Sequence, residues 1–108
     1  MRVEALSSYE NFRHGLSDED DALVAAAIAQ LAKRGSAELA RTKLASKLKN
    51  DIWELRPRHH RVLYFLDSED SKYVLVQGFR KASQRTPRRH IELAERRIRQ
   101  YLEAKKRK

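Results

Sequence analysis

Three strand-like segments follow one another closely in the second half of this 108-residue chain. They run from Ile52 to Arg56, from Arg61 to Leu66 and from Tyr73 to Phe79, and they are rich in β-branched, aromatic and large apolar residues. The connections, Pro57 to His60 and Asp67 to Lys72, are too short for a crossover helix, so neighbouring strands must be antiparallel. The sequence therefore predicts a three-stranded meander.

The first half of the chain predicts a helical hairpin. Ser17 precedes four acidic residues and an apolar stripe at helical spacing, which predicts an N-cap and a helix over 18–34, with Gly35 just past its end. Ser8 to Leu16 predicts a shorter helix before it. Residues 36–51 mix helix formers with a basic pattern and are interpreted as either helix or loop.

The chain closes with an amphipathic pattern. Thr86 and Pro87 predict the N-cap and first residue of a helix over 87–104, and the basic tail from Lys105 to Lys108 lies beyond its apolar stripe. We expect that tail to add only nonspecific attraction for RNA. The predicted class is α+β, a single domain over 1–108 with a small antiparallel sheet of three to four strands, an N-terminal helical hairpin and a C-terminal amphipathic helix.

The net charge of +9 is confined to the second half of the chain. Residues 1–51 carry eight Lys/Arg and eight Asp/Glu, whereas residues 52–108 carry sixteen and seven. A field of one sign attracts polyanions, so nucleic acid or an acidic protein is the expected partner. The alternative is a solvated basic surface without a partner.

Several classes of protein do not fit the sequence. There is no cysteine, which suits a reducing compartment, and the apolar run over 22–32 is too short for a membrane span, so a cytoplasmic protein without a targeting segment is expected. HExxH, CxxC, acidic metal loops, Gly-rich phosphate loops and GxSxG are all missing from the sequence. We therefore expect a site that uses neither a metal nor a cofactor.

The strand pattern predicts a basic patch on one open face of the sheet. A period of two places Trp53 and Leu55 on one face and Glu54, Arg56 and Arg58 on the other. The next strand returns with a further cation, and two more follow the third strand; these are Arg61, Arg80 and Lys81. Arginine binds phosphate bidentately and lysine acts as a point charge, so the patch is a candidate phosphate site on a solvated face.

Cations also occupy the first turn of the closing helix, where they oppose the helix dipole. Arg88, Arg89 and His90 could receive a phosphate together with backbone N–H groups, or they could point to water or to an acidic partner. Arg85, just before this helix, is a further candidate for binding RNA phosphate. The pair His59 and His60 is the candidate for proton transfer near the patch, although two histidines in a polar turn are also typical of an ordinary surface.

An ordered set of short motifs resembles the HigB-like, phage-associated branch of the RelE/ParE toxins. The motifs are Ile52-Trp53-Glu54-Leu55-Arg56-Pro57, Arg61-Val62-Leu63-Tyr64, Gly78-Phe79-Arg80-Lys81, Thr86-Pro87 and Ile91-Glu92-Leu93-Ala94. The resemblance implies a compact α+β toxin, an adjacent antitoxin that is often a helix-turn-helix protein, and cleavage of mRNA in the ribosomal A site. It also implies that Arg56, Arg61 and Lys81 are the basic active-site positions.

Two features depart from or extend the resemblance. Ala82 stands where many relatives have a second basic residue. The N-terminal strand that is usual in the superfamily could only be Arg2 to Leu6 here.

The resemblance leads to one functional hypothesis with two rivals. In RNA cleavage the neighbouring 2′-hydroxyl is the nucleophile, with Arg56 and Arg61 on the scissile phosphate, Lys81 stabilising charge or moving a proton, and Arg80 positioning the substrate. The first rival is a non-catalytic gyrase-binding toxin like the ParE branch, and fold alone does not separate the two. The second is a plain nucleic-acid-binding module, which the scarcity of exposed aromatics disfavours.

Overall fold

The computed structural model describes residues 1–107, over which nine elements follow one another. In chain order these are β1 (Arg2–Ala5), α1 (Ser7–His14), α2 (Asp18–Arg34), α3 (Ser36–Arg41), β2 (Ala45–Lys49), β3 (Ile52–Leu55), β4 (His60–Asp67), β5 (Lys72–Arg80) and α4 (Arg88–Lys106). The strands form one sheet in the order β1-β5-β4-β3-β2, in which only β1 and β5 are parallel. The predicted α+β class is confirmed.

The predicted meander forms the centre of this sheet as β3, β4 and β5. Leu55 lies opposite Val62, and Tyr64 lies opposite Leu75, both in antiparallel pairs. The pairing of β4 with β5 shifts between Leu63 and Tyr64, so that β5 carries one extra residue at this point. This bulge lets two successive residues of β5, Val76 and Gln77, both contact the α4 side of the sheet.

Two further strands extend the meander at its edges. The segment that the sequence left as helix or loop divides into the short helix α3 and the edge strand β2, which pairs with β3. At the other edge, β1 is the N-terminal strand, within the segment Arg2 to Leu6 that alone could supply it. It lies parallel to β5, with Val3 opposite Tyr73, which is possible because a long stretch of chain separates the two strands.

The helical hairpin forms as predicted. The side chain of Ser17 accepts a hydrogen bond from the Asp20 N–H at 3.1 Å, which caps α2. At the other end, Gly35 has a φ of 83° and donates its N–H to the Leu31 carbonyl at 2.9 Å. A residue with a side chain would be strained at that φ, which explains why glycine ends this helix.

The sheet buries a separate hydrophobic cluster on each face. The face towards α1, α2 and α3 is packed with Val24, Leu31, Leu39, Leu55, Val62, Tyr64, Tyr73 and Leu75. Trp53 packs against this cluster, with its ring stacked 6.5 Å from that of Tyr64. The other face packs against α4 through Ile52, Leu63, Phe65, Val74, Val76 and Ala94. No helix within residues 1–107 is long and apolar enough to cross a membrane.

Both ends of α4 differ from the sequence prediction. Pro87 is the N-cap residue and the helix begins at Arg88, because the Thr86 hydroxyl donates to Glu54 instead of capping the helix. At the other end, α4 continues to Lys106, and the Lys105 ammonium lies 2.7 Å from Asp67 and 2.8 Å from Asp70. The expectation that the tail only attracts RNA is therefore wrong for Lys105, which fastens the helix to the β4–β5 turn. Lys108 lies outside the described residues.

Candidate phosphate-binding site

A buried carboxylate lies between two guanidinium groups where β3 ends and β4 begins. Glu54 is 2% exposed, and its Oε2 lies 3.4 Å from Nε of Arg56 and 4.0 Å from Nε of Arg61. The two strands bring these three residues together because Glu54 is the register partner of Leu63, two positions along β4 from Arg61. The cluster has one negative charge and two positive charges.

Arg61 is buried, and this corrects the expectation that it lies on a solvated face. Only 7% of the residue is exposed, and its Nη1 donates to the carbonyls of Arg58 and His60, each at 2.8 Å. Burial lowers the pKa of the Arg61 guanidinium, and neighbouring Arg56 acts in the same direction while Glu54 opposes both. The hydrogen bonds of Nη1 are therefore made to the protein backbone.

Arg56 is the guanidinium of this cluster that faces solvent. Its side chain is 31% exposed, and its backbone N–H donates to the Leu44 carbonyl at 2.8 Å, which fixes the chain at the end of β3. Nε approaches Glu54 without forming a hydrogen bond. The remaining nitrogens of Arg56 can therefore reach a phosphate from outside.

The loop between β5 and α4 is bonded at one end to the β3–β4 turn and at the other end to the cluster. Its first residue, Lys81, donates its backbone N–H to the His59 carbonyl at 2.7 Å. Near its other end, Thr86 donates its hydroxyl to Glu54. Lys81 and the exposed Arg85 are thus carried on a short loop whose ends lie beside the arginine pair.

The first turn of α4 packs against β5 through an aromatic stack. The rings of Phe79 and His90 lie 3.8 Å apart and nearly parallel, and the His90 carbonyl accepts a hydrogen bond from Gln77 at 3.0 Å. Burial and the nearby Arg89 both lower the pKa of His90, which keeps the imidazole neutral at pH 7. Arg88 and Arg89 are exposed beside this stack and add positive charge to the same end of the molecule.

His60 does not join the cluster, although its neighbour Arg61 does. Successive residues of a strand point to opposite faces, so His60 is directed towards the helical hairpin. It is 6% exposed, its Nε2 lies 3.1 Å from Asp20, and its ring lies against that of Phe12. We therefore withdraw it as a phosphate ligand.

The other predicted basic residues are exposed at this end of the sheet. Arg58, His59 and Arg80 are exposed, and Arg80 is the register partner of His60, so its side chain leaves the sheet on the face of His60 and not on that of Arg61. Within residues 1–107, no three His, Cys, Asp or Glu side chains are grouped so that they could hold a metal ion. The site that the fold assembles consists of cations, the buried carboxylate of Glu54 and the hydroxyl of Thr86.

A comparison with family models identifies the family of the chain. Residues 12–99 match the family model described as "Phage derived protein Gp49-like (DUF891)". The chain belongs to this family. No curated protein matches the sequence.

The Gp49-like chain is also similar to solved structures. One is the archaeal RelE–RelB complex from Pyrococcus horikoshii OT3, which superimposes with a TM-score of 0.64 at 16% identity over 75% of this chain and 94% of that one. Another is the toxin–antitoxin complex RelBE2 from Mycobacterium tuberculosis, with a TM-score of 0.51 at 19% identity over 74% and 96%. At such identities the similarity establishes the RelE-like fold.

Two residues of the Gp49-like site were missed as functional candidates from the sequence. Glu54 was placed on the correct face but given no role, and Thr86 was assigned to helix capping. Glu54 is the single acid among the cations of this strand and hairpin. Because a carboxylate is rarely buried without a partner, an acid at this position could have indicated an ion pair with the neighbouring arginines. No local pattern could have indicated the contact from Thr86, which is 32 residues away in sequence.

Proposed function

We propose that this chain is the toxin of a type II toxin–antitoxin system and a metal-independent endoribonuclease that cleaves mRNA on the ribosome. The motifs quoted above favour the HigB-like branch, and the RelE-like fold is compatible with this assignment. The observation that supports it most is the buried Glu54 holding two arginines beside the loop that carries Lys81. Such a site has fixed cations for a phosphate, and it needs no protein nucleophile because RNA supplies its own 2′-hydroxyl.

The geometry suggests a division of work among the basic residues. Arg56, the more exposed of the two guanidinium groups, binds the scissile phosphate, while Arg61 stabilises the position of Arg56 and Glu54 from within the sheet. Lys81 stabilises the charge that develops on the phosphate. A second set of exposed cations guides the RNA along this end of the molecule: Arg58, His59, Arg80, Arg85, Arg88 and Arg89.

The proposed partner is an antitoxin encoded beside the toxin. The two structures named above are the RelE–RelB complex and the toxin–antitoxin complex RelBE2, and the basic half of this chain would attract an acidic protein segment. The motif resemblance favours a helix-turn-helix antitoxin.

Induced expression without an antitoxin tests the function. We expect growth arrest, with primer extension showing messages cut within codons and a loss of translation. Intact messages together with DNA breaks and a damage response would instead identify a gyrase poison. Normal growth at verified expression of folded protein would contradict toxicity altogether.

A further inference from the structure

The two oxygens of the Glu54 carboxylate have different partners. Oε1 accepts a hydrogen bond from the hydroxyl of Thr86, just before α4. Oε2 faces the two guanidinium groups, at 3.4 Å from Nε of Arg56 and 4.0 Å from Nε of Arg61. A carboxylate can bind one guanidinium through both of its oxygens, and here a hydroxyl holds one of these two oxygens.

Arg56 is close to Glu54 but is not fully paired with it. The buried Nε of Arg56 has no hydrogen-bond partner within residues 1–107, although Oε2 of Glu54 lies 3.4 Å away. A buried N–H group without a partner is costly, so the guanidinium would gain from closing this gap. Full pairing with Glu54 would, however, leave fewer of its donors for a phosphate.

We propose that Thr86 is a positioning residue, which keeps Arg56 available for phosphate by holding Glu54. This inference rests on the proposed ribonuclease function. The Thr86 hydroxyl holds Oε1, so the carboxylate faces the guanidinium groups through Oε2. Without the hydroxyl, both oxygens can turn to Arg56 and form a two-point ion pair, which competes with RNA phosphate for the same nitrogens.

The chain next to Thr86 holds its side chain in place. Pro87 follows directly and restricts the backbone of the residue before it. Helix α4 then begins at Arg88 and packs on the sheet through Ile91 and Ala94. Thr86 is half-buried and makes no hydrogen bond that caps α4. Its hydroxyl is therefore attached to a packed helix, which lets it fix the orientation of the Glu54 carboxylate.

A different role for Thr86 would be to fasten the loop that carries Lys81 and nothing more. The two roles predict different kinetics. A displaced Lys81 would slow the chemical step, because Lys81 acts on the charge that develops in the transition state. A guanidinium occupied by Glu54 would instead weaken the binding of RNA before any chemistry takes place.

The test removes the hydroxyl without touching the cations. Thr86→Val and Thr86→Ala lack the hydroxyl, whereas Thr86→Ser keeps it. Thr42→Val is the matched control, because Thr42 is the other threonine of the chain and its hydroxyl donates to the Leu39 carbonyl at 3.1 Å. Affinity is measured with a 2′-O-methylated RNA oligonucleotide, which cannot supply the nucleophile. Single-turnover cleavage on ribosomes gives the rate of the chemical step, and NMR follows the Nε–H group of Arg56.

We expect Thr86→Val and Thr86→Ala to bind the RNA about tenfold more weakly, the effect of losing roughly one hydrogen bond to a charged group. Cleavage at saturating protein should stay within about twofold of the native rate, because the chemical step is unchanged. The Arg56 Nε–H resonance should shift as its hydrogen bond to Glu54 forms. Thr86→Ser and Thr42→Val should match the native protein in all three measurements.

Three outcomes would overturn the role of Thr86. The first is native affinity with an unshifted Arg56 resonance in the variants that lack the hydroxyl. The second is slower cleavage at native affinity, which would mean that the hydroxyl only fastens the loop. The third is an equal loss in Thr86→Ser. If the native protein cleaves no message on ribosomes, the ribonuclease function fails, and the affinity and the resonance, which need no cleavage, still decide the role of Thr86.

Discussion

Glu54 shows how a basic site can contain a buried acid. Two guanidinium groups at one end of the sheet would repel each other, and one of them, that of Arg61, is almost completely buried. The carboxylate lies near both guanidinium groups, offsets part of their repulsion, and also accepts a hydrogen bond from the Thr86 hydroxyl. A buried charge without a partner is costly, so the arrangement depends on this single residue.

Replacing the carboxylate by its amide isolates that role. Glu54→Gln preserves the shape of the side chain but leaves Arg61 buried without a counter-charge. We expect urea denaturation to show that the free energy of unfolding falls by about 3 kcal/mol. Glu92→Gln is the matched control, because Glu92 is exposed and its ion pair with Arg88 is 4.0 Å long, so its stability should change by less than about 0.5 kcal/mol. Equal stability of the two variants would contradict the role given to Glu54.

The two arginines should respond differently to truncation. Arg56→Ala removes the half-buried guanidinium that faces solvent and should abolish most cleavage while changing the unfolding temperature less than Arg61→Ala does. Arg61→Ala removes a buried side chain with two backbone hydrogen bonds, so both cleavage and stability should fall. We would measure cleavage rates and thermal unfolding of both variants, with Arg96→Ala at an exposed position as the control. These measurements distinguish a loss of cleavage alone from a loss of cleavage and stability together. An Arg61→Ala protein as stable as the native one would mean that Arg61 is a ligand only.

The elements are held in register by contacts at their ends. At the C-terminal end of α4, Lys105 binds Asp67 and Asp70, and Tyr101 donates its hydroxyl to Asp67 at 2.9 Å. Burial alone would raise the pKa of Asp67, but the hydrogen bonds from Lys105 and Tyr101 outweigh it, so the pKa lies below its ordinary value of 3.8.

This shift predicts how stability depends on acid. A depressed carboxyl pKa contributes stability that is complete above pH 3.8 and is lost as the pH falls through the folded-state value. Asp67→Asn should therefore be less stable than the native protein at neutral pH, and the difference should shrink below about pH 4. Urea unfolding of both proteins between pH 7 and pH 3 measures it. A gap that stays constant down to pH 3 would contradict the ion pair with Lys105.

Helix α1 approaches the sheet so closely that one strand position must be glycine. A Cβ on Gly78 would lie 2.3 Å from the ring of Phe12, whereas a Cβ on Gly15 would meet its nearest neighbour at 3.6 Å. We expect Gly78→Ala to destabilise the protein by about 1–3 kcal/mol through overpacking. Gly15→Ala should have little effect, and chemical denaturation of both variants provides the comparison. A tolerated Gly78→Ala would show that α1 can move away from β5.

At the scale of the whole molecule, charge separates the two halves of the chain. All of the net charge comes from residues 52–108, and these residues also supply Arg56, Arg61, Lys81 and the first turn of α4. The half that contains α1, α2 and α3 is neutral and packs against the other face of the sheet. RNA is therefore expected to approach one end of the molecule.

Salt dependence of RNA binding tests this polarity. Each phosphate contact to single-stranded RNA contributes about −0.7 to the slope of log affinity against log salt. Combined replacement of Arg85, Arg88 and Arg89 by alanine should make that slope less steep by about 2, if each binds a phosphate. The same change at Lys33, Arg41 and Lys47, three exposed cations of the first half, should leave it nearly unchanged. Equal slopes for the two triple variants would remove α4 from the RNA path.

The sequence by itself determined the elements whose signals are local. The meander followed from two short connections, and α2 followed from Ser17, an apolar stripe and Gly35, because turns, caps and periodicity act over a few residues. The alternation along β3 also placed Glu54 and Arg56 on one face correctly. Charge imbalance and the motifs were likewise readable from residues alone.

Only the tertiary structure decided which of these side chains are buried and what they contact. β1 became a strand by pairing with β5 across most of the chain, and β2 became one by pairing with β3. Arg61 is buried in the folded chain, and the Thr86 hydroxyl donates to the distant carboxylate of Glu54 instead of capping α4. Such contacts depend on residues far apart in sequence, so local sequence patterns cannot predict them.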